Sequence, residues 1–186
     1  MGYSGDIHKK QSIMDSYFYA LVRVVDLIYQ DEEIGDILHF IVSLATELTG
    51  AKGSTIRVLE TGTFNLKVVS NYGLSMEYLS SGAIDYGQSV TEIRQGDRII
   101  IDDFENDTRI QNLDAAKKEG VSSVIGIPFT VNETTYSILR VYYRYKKTHT
   151  DEEIELLNSL GKLSCLAIMR RVVNGIKKDY EIDRTI

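Results

Sequence analysis

An arginine stands inside an otherwise apolar run, Ser137-Ile138-Leu139-Arg140-Val141-Tyr142-Tyr143. In a strand the side chains alternate between faces, so Arg140 shares a face with Ile138 and Tyr142 and opposes Leu139 and Val141. A guanidinium held there presents a planar fork of donors suited to a carboxylate or a phosphate. Arg57 interrupts a second β-like run, Ser54 to Glu60 (STIRVLE), in the same way. Two readings are open for each arginine. It receives an anionic ligand, or it pairs with a carboxylate of its own chain such as Asp85 or Glu119, or else snorkels to solvent.

Other chemistry finds little support. Serines and histidines occur, but there is no nucleophile elbow, no acidic pair on facing elements and no Gly-rich phosphate loop. Cys165 is the only cysteine, which rules out an intramolecular disulfide and a cysteine-based zinc site; it reads as a small buried packing residue. His8, His39 and His149 share no metal-ligand spacing, and His149 reads as an exposed residue ahead of a helix cap. The 186 residues carry 21 Lys and Arg against 27 Asp and Glu, a formal net charge of −6, which disfavours nucleic acid and anionic membrane as partners. No run is long and apolar enough for a membrane helix, and the N-terminus lacks a signal peptide's apolar core, so the cytoplasm is the expected compartment.

The elements that must position the arginines follow from periodicity. Met14, Tyr17, Phe18, Leu21, Val25 and Ile28 recur at steps of three and four, which predicts a helix over 12–29. A second helix begins at the acidic Asp31-Glu32-Glu33 and closes at Gly50; nothing at Gln30-Asp31 excludes one long bent helix instead. STIRVLE, a turn at Thr61-Gly62-Thr63 and Phe64 to Asn71 predict a hairpin. Short helices are expected at 76–80 and around 88–94. Between them and the second hairpin come a strand at 98–101 apolar enough to be interior, a polar loop over 102–109 and a helix over 110–119. Ser123 to Val131 and Thr134 to Arg144 predict that second hairpin, with Pro128 marking an edge position or bulge. Thr150-Asp151-Glu152-Glu153 is a capping-box sequence, in which Thr150 and Glu153 satisfy each other's backbone N–H groups. The helix it opens, from Asp151 to Asn174 or beyond, is apolar on two sides. The side with Gly161 and Ser164 is expected on the sheet, and the side with Leu156, Leu160 and Leu163 against the first helix or a partner subunit.

Certain stretches carry a resemblance: Leu44-Ala45-Thr46-Glu47-Leu48-Thr49-Gly50-Ala51 running into Ser54 to Leu59, Val69 to Leu74, Arg98 to Asp103, Asp107-Thr108-Arg109, Lys118 to Val124, Ile127-Pro128-Phe129, and the capping box. In this order the chain resembles the GAF domain family, small-molecule sensor modules of phosphodiesterases, phytochromes and bacterial signalling proteins, over about residues 35–175. The resemblance implies an α+β fold of profilin/PAS-like type: a central antiparallel sheet of about five or six strands, terminal helices on one face, and short helices and loops covering a ligand cavity on the other. It implies three parts, an N-terminal helix over 1–30 for dimerisation or signalling, the GAF-like domain over 31–175, and a helical extension or tail over 176–186. In that arrangement the strands of Arg57 and Arg140 lie side by side, and if both arginines point into the cavity their guanidinium groups converge on a carboxylate, phosphate or similar anion. Tyr72, Tyr86 and Tyr142 would line the cavity, and Asp102, Asp103, Asp107 and Arg109 would belong to the covering loop; core packing, turn chemistry and helix capping are the alternative roles of these residues.

The implied function is non-catalytic. It is a sensory domain that binds a small, anionic molecule and signals through its terminal helices in a homodimer, with a downstream partner and no cofactor. A ligand-free dimerisation module is the alternative. The family's cyclic-nucleotide signature, Asn-Lys…Phe…Asp-Glu, reads here Tyr145-Lys146-Lys147-Thr148-His149-Thr150-Asp151-Glu152, without the Asn or the Phe, so cyclic nucleotide binding is not expected. Covalent bilin attachment needs a cysteine at the pocket mouth, and thiol redox chemistry needs several.

Overall fold

A computed structural model describes residues 3–60, 66–81, 98–131 and 134–182, with side chains over 11–60, 66–81, 98–130 and 137–171. Helices α1 (Tyr3–Tyr29) and α2 (Ile34–Thr49) precede strands β1 (Gly53–Leu59) and β2 (Leu66–Tyr72). Helix α3 (Met76–Ser80), strand β3 (Ile99–Ile101) and helix α4 (Leu113–Glu119) follow. The chain continues as β4 (Ser123–Val131), β5 (Thr134–Tyr143) and the long helix α5 (Asp151–Ile182). The strands form one antiparallel sheet in the order β2-β1-β5-β4-β3, so β1 and β5, which carry the two arginines, are central neighbours. The turn at 61–63, the helix expected around 88–94 and Tyr86 lie outside the described residues.

The two long helices are separate. Asp31 takes a positive φ of 61°, a conformation that short polar side chains tolerate, and α2 closes at Gly50 with φ 65°. Helix α1 begins nine residues before the predicted start, at Tyr3 rather than Ser12. Helix α4 starts at Leu113 rather than Ile110, because Asn112 accepts a hydrogen bond from the Ala115 N–H at 3.0 Å and so caps it. Among the described residues β3, the strand expected in the interior, stands at the sheet's edge: Ile99 and Ile101 are buried on one face and Ile100 is 37% exposed on the other. Pro128 lies on β4 beyond the stretch paired with β3, one residue before the register shift at Phe129/Thr130, where its missing N–H costs no ladder bond on that side.

One face of the sheet packs against the helices. Ile56, Ile125, Ile127, Phe129, Leu139, Val141 and Tyr143 join Val24, Ile37, Ile41 and Val42 and the α5 residues Leu156, Leu157 and Leu160 in one core. As predicted, the small side of α5 rests on the sheet. Gly161 sits so close to Phe129 that an added Cβ would lie 1.5 Å from its Cζ.

The start of α5 departs from the sequence reading in two ways. Thr150 Oγ1 accepts from the Glu153 N–H at 3.3 Å, but the Glu153 carboxylate is engaged elsewhere than on the Thr150 N–H. It accepts from Tyr143 Oη at 2.7 Å and lies 2.9 Å from Lys147 Nζ and 3.1 Å from His149 Nδ1. His149 is therefore an internal residue, its side chain only 3% exposed. Lys147 also donates to the Thr49 carbonyl at 3.0 Å and lies 4.3 Å over the Tyr143 ring, so this knot ties β5, α2 and α5 together. Burial works against ionisation of Glu153, but hydrogen bonds from His149, Tyr143 and Lys147 outweigh it and hold the carboxyl below its usual range.

Candidate functional site

The opposite face carries the arginines. Across the sheet Thr55 stands against Arg140, and Arg140 against Gly126; two pairs further on, Arg57 stands against Ile138. The alternation that puts Leu139 and Val141 into the helical core puts Ile138, Arg140 and Tyr142 on this side. Both arginines are buried, Arg140 at 1% exposure and Arg57 at 4%. The neighbours of Arg140 are small. A Cβ on Gly126 would lie 3.5 Å from Arg140 Cγ and 3.1 Å from Ile138 Cδ1, so the bare backbone of β4 makes room for the arginine stem. Arg57 donates through Nη1 to the Leu66 carbonyl at 3.4 Å.

Tyr142 completes the cluster. Its burial pushes the phenol toward the neutral form, yet the charges of Arg57 and Arg140 more than offset this, with Thr55 and Arg140 hydrogen-bonding beside it, and its pKa falls below the ordinary tyrosine value. That direction reports an electropositive interior, because a positive field stabilises the phenolate. The edge of the α3 residue Tyr78 meets the Tyr142 ring at 5.9 Å and 89°. Glu119, offered above as a partner for the arginines, is instead committed to Lys52 at 3.2 Å and to Ser75, whose N–H donates at 3.0 Å. Asp85 lies outside the described residues.

Helices α3 and α4 with the segment between β3 and β4 form the covering layer, and Leu74, Tyr78, Leu79, Phe104, Ala116 and Val121 pack beneath it against Ile99, Ile101, Ile138 and Tyr142. A cleft of ≈ 470 Å³ opens between α3 and α4, lined by Ser75, Glu77, Tyr78, Asn112, Asp114 and Lys118. Tyr78 is its inner wall, so one aromatic ring stands between the cleft and the cluster of Tyr142 and Arg140.

The other candidates fall differently. Tyr72 is corrected: it packs on the helical face, donating from Oη to Glu47 Oε1 at 3.1 Å and meeting the His39 ring edge-on at 5.8 Å. It follows Ser54 across β1, and Ser54 donates to the Val42 carbonyl of α2, which fixes that side of β2 against the helix. Asp102 is exposed. Asp103 pairs with Lys146 at 2.6 Å and accepts from the Glu105 N–H, contacts that hold its carboxyl below the usual range. Asp107 takes a fork from Arg109, Nε at 2.9 Å and Nη2 at 2.6 Å, and Arg109 also donates to the Ile100 carbonyl at 3.0 Å. These residues make the turn chemistry given above as their alternative role, within the covering segment. Cys165 is buried on α5, in the helical core.

Sequence reading missed Thr55, Tyr78 and Gly126. Thr55 was within reach, since it lies two residues from Arg57 on the same strand face; Tyr78 and Gly126 join the site through pairings that no local pattern encodes. Among the described residues no group of three or more His, Cys, Asp or Glu is placed to hold a metal ion, and no helix is long and apolar enough to cross a membrane.

Solved structures with this architecture agree with one another. The GAF domain of a phosphoenolpyruvate-protein phosphotransferase from Coxiella burnetii superposes with a TM-score of 0.69 at 12% identity, over 87% of this chain and 97% of that one. The corresponding Acinetobacter domain gives 0.65 at 14% identity, over 84% and 95%. A phycocyanobilin-bound GAF domain from a cyanobacterial phytochrome gives 0.67 at 14% identity, over 85% and 96%. At such identities the likeness is one of fold. No curated protein matches by sequence. The model of the GAF domain family, however, matches residues 31–169, from the start of α2 through most of α5, and the chain belongs to that family.

Proposed function

We propose that this GAF domain is a non-catalytic sensor of a small anionic molecule, acting in the cytoplasm as a homodimer through α1 and α5 and handing its signal to a downstream partner. The observation that carries the reading is the buried cluster of Arg57, Arg140 and Tyr142 at the centre of the sheet face opposite the helices. Two guanidinium groups beneath a covering layer suit a carboxylate or phosphate, which they can hold in a bidentate fork away from water. One structural neighbour holds phycocyanobilin, so this fold accommodates a ligand in that protein. Covalent attachment is not part of the reading here, because the single cysteine is buried on the helical side.

Dimerisation rests on a separate observation. Met14, Phe18, Val22, Val25 and Tyr29 form a stripe along α1 that is 41–86% exposed, and Leu166 of α5 is 56% exposed. Apolar stripes of this length on a helix mark an interface.

Isothermal titration against a panel of small dicarboxylates, tricarboxylates and phosphate esters tests the ligand. One class binds the wild type, and Arg140→Ala weakens it by about 2–4 kcal/mol, as expected when a buried charge loses its partner. Cyclic GMP gives no thermal shift. A panel without a binder, together with a dimer in sedimentation, would favour the ligand-free dimerisation module.

A further inference from the structure

One ring separates the buried arginines from an open cleft. The space of ≈ 470 Å³ between α3 and α4 has Tyr78 as its inner wall, and that ring meets Tyr142 edge-on at 5.9 Å. Tyr142 shares its strand face with Arg140, two residues away. Although Tyr78 lines an open cleft, only 5% of it is exposed, so the ring fills the wall rather than standing out from it.

The helix that carries the ring is held mainly at one end. α3 has five residues, too few to hold together without tertiary contacts, and it buries two side chains, Tyr78 and Leu79. Its start is anchored. The Ser75 hydroxyl accepts from the Tyr78 N–H at 3.1 Å and donates to Glu119, whose carboxylate also accepts from the Ser75 N–H at 3.0 Å and lies 3.2 Å from Lys52. Beyond that anchor, among the described residues, the polar tie to α4 is the ion pair of Glu77 and Lys118, whose side chains are 74% and 72% exposed, so water weakens it. A pivot of α3 about Ser75 therefore breaks little, and it carries Tyr78 toward the cleft, a space much larger than a phenol ring.

We propose that Tyr78 is the door of the arginine site and the α3–α4 cleft its entrance. This rests on the anion-sensor reading above and adds the way in. Swung outward, the ring opens a path from the cleft to Tyr142 and Arg140. Swung inward, it shuts water away from the guanidinium groups, and an anion held there out of water is bound more strongly.

Chemical access to Arg140 tests the door in the full chain without any bound anion. Phenylglyoxal, an uncharged reagent for arginine, is added, and modification of Arg140 is followed by peptide mass spectrometry with the exposed Arg171 as internal reference. In the wild type Arg140 reacts slowly. Tyr78→Ala raises its rate about tenfold, because modification tracks the population of the open form, while Tyr78→Phe, which keeps the ring, stays at the wild-type rate. Leu79→Ala controls for general loosening: Leu79 is buried on the same helix without lining the cleft, and its truncation leaves Arg140 slow. A wild-type rate in Tyr78→Ala, or an equal rise in Leu79→Ala, would overturn the door. Neither result depends on an anion, so the sensor reading stands or falls separately, by titration of the panel above against the wild type and Arg140→Ala.

Discussion

The two faces of the sheet differ in what they ask of their residues. The helical face is apolar and close-fitting: Ile56, Leu139 and Val141 are wholly buried under α2 and α5, and Gly161 leaves Phe129 no slack. The other face buries two guanidinium groups and a phenol at its centre. Burying cations is costly unless partners and hydrogen bonds offset the lost hydration. On the reading proposed above, one side of the sheet serves stability and the other recognition.

The largest blow to the helical face should come from Gly161→Val. Its branched side chain would collide with the Phe129 ring, and a loss of about 3 kcal/mol in urea unfolding is expected, with anion affinity in the surviving folded protein unchanged. Glu153→Gln should cost about 2 kcal/mol, because Lys147 then loses its carboxylate at a site only 13% exposed.

The same knot sets an acid limit. Glu153 has a folded pKa below its unfolded value, so its stabilisation is complete above the ordinary 4.5 and is lost as the pH falls through the depressed value. Asp107, held down chiefly by the Arg109 hydrogen bond, acts in the same sense. Melting temperature should therefore fall steeply in acid below about pH 4.5, and less steeply in Glu153→Gln.

The smallest effect concerns the covering layer. Residues 102–120 hold many turns and only Phe104 and Ala116 as buried apolar residues, fewer than β4 and β5, so they should exchange amide hydrogens faster than 123–143 and slow when an anion binds. Equal protection in the unliganded protein would make this layer part of the rigid scaffold, and the two faces would then differ less than described.

How much of this was legible depended on whether the information was local. Alternation in Ser137 to Tyr143 placed Arg140, and the glycine after Thr49 placed the end of α2, because both follow from a few neighbouring residues. His149 was misread because its burial comes from Glu153, Lys147 and Tyr143 converging from three elements. Tyr72 was misread because its face depends on a register shift between β1 and β2 at Ile56/Arg57 and on the seat of Ser54 beneath α2. The strand of three isoleucines looked interior by composition, but edge position is a property of the whole sheet. The cluster of Arg57, Arg140 and Tyr142 is assembled by strand pairing, which no short pattern spells out.

The most direct test of the difference between the faces is thermal melting of the wild type and of Arg140→Met, a change that keeps the apolar stem and removes the charge, with and without the anions of the panel at millimolar concentration. The wild type should gain melting temperature in proportion to the logarithm of the concentration of one anion class, and Arg140→Met should stay folded and lose that gain. A gain of equal size in both proteins, or none in the wild type with any member of the panel, would contradict the assignment of the arginine face to anion recognition.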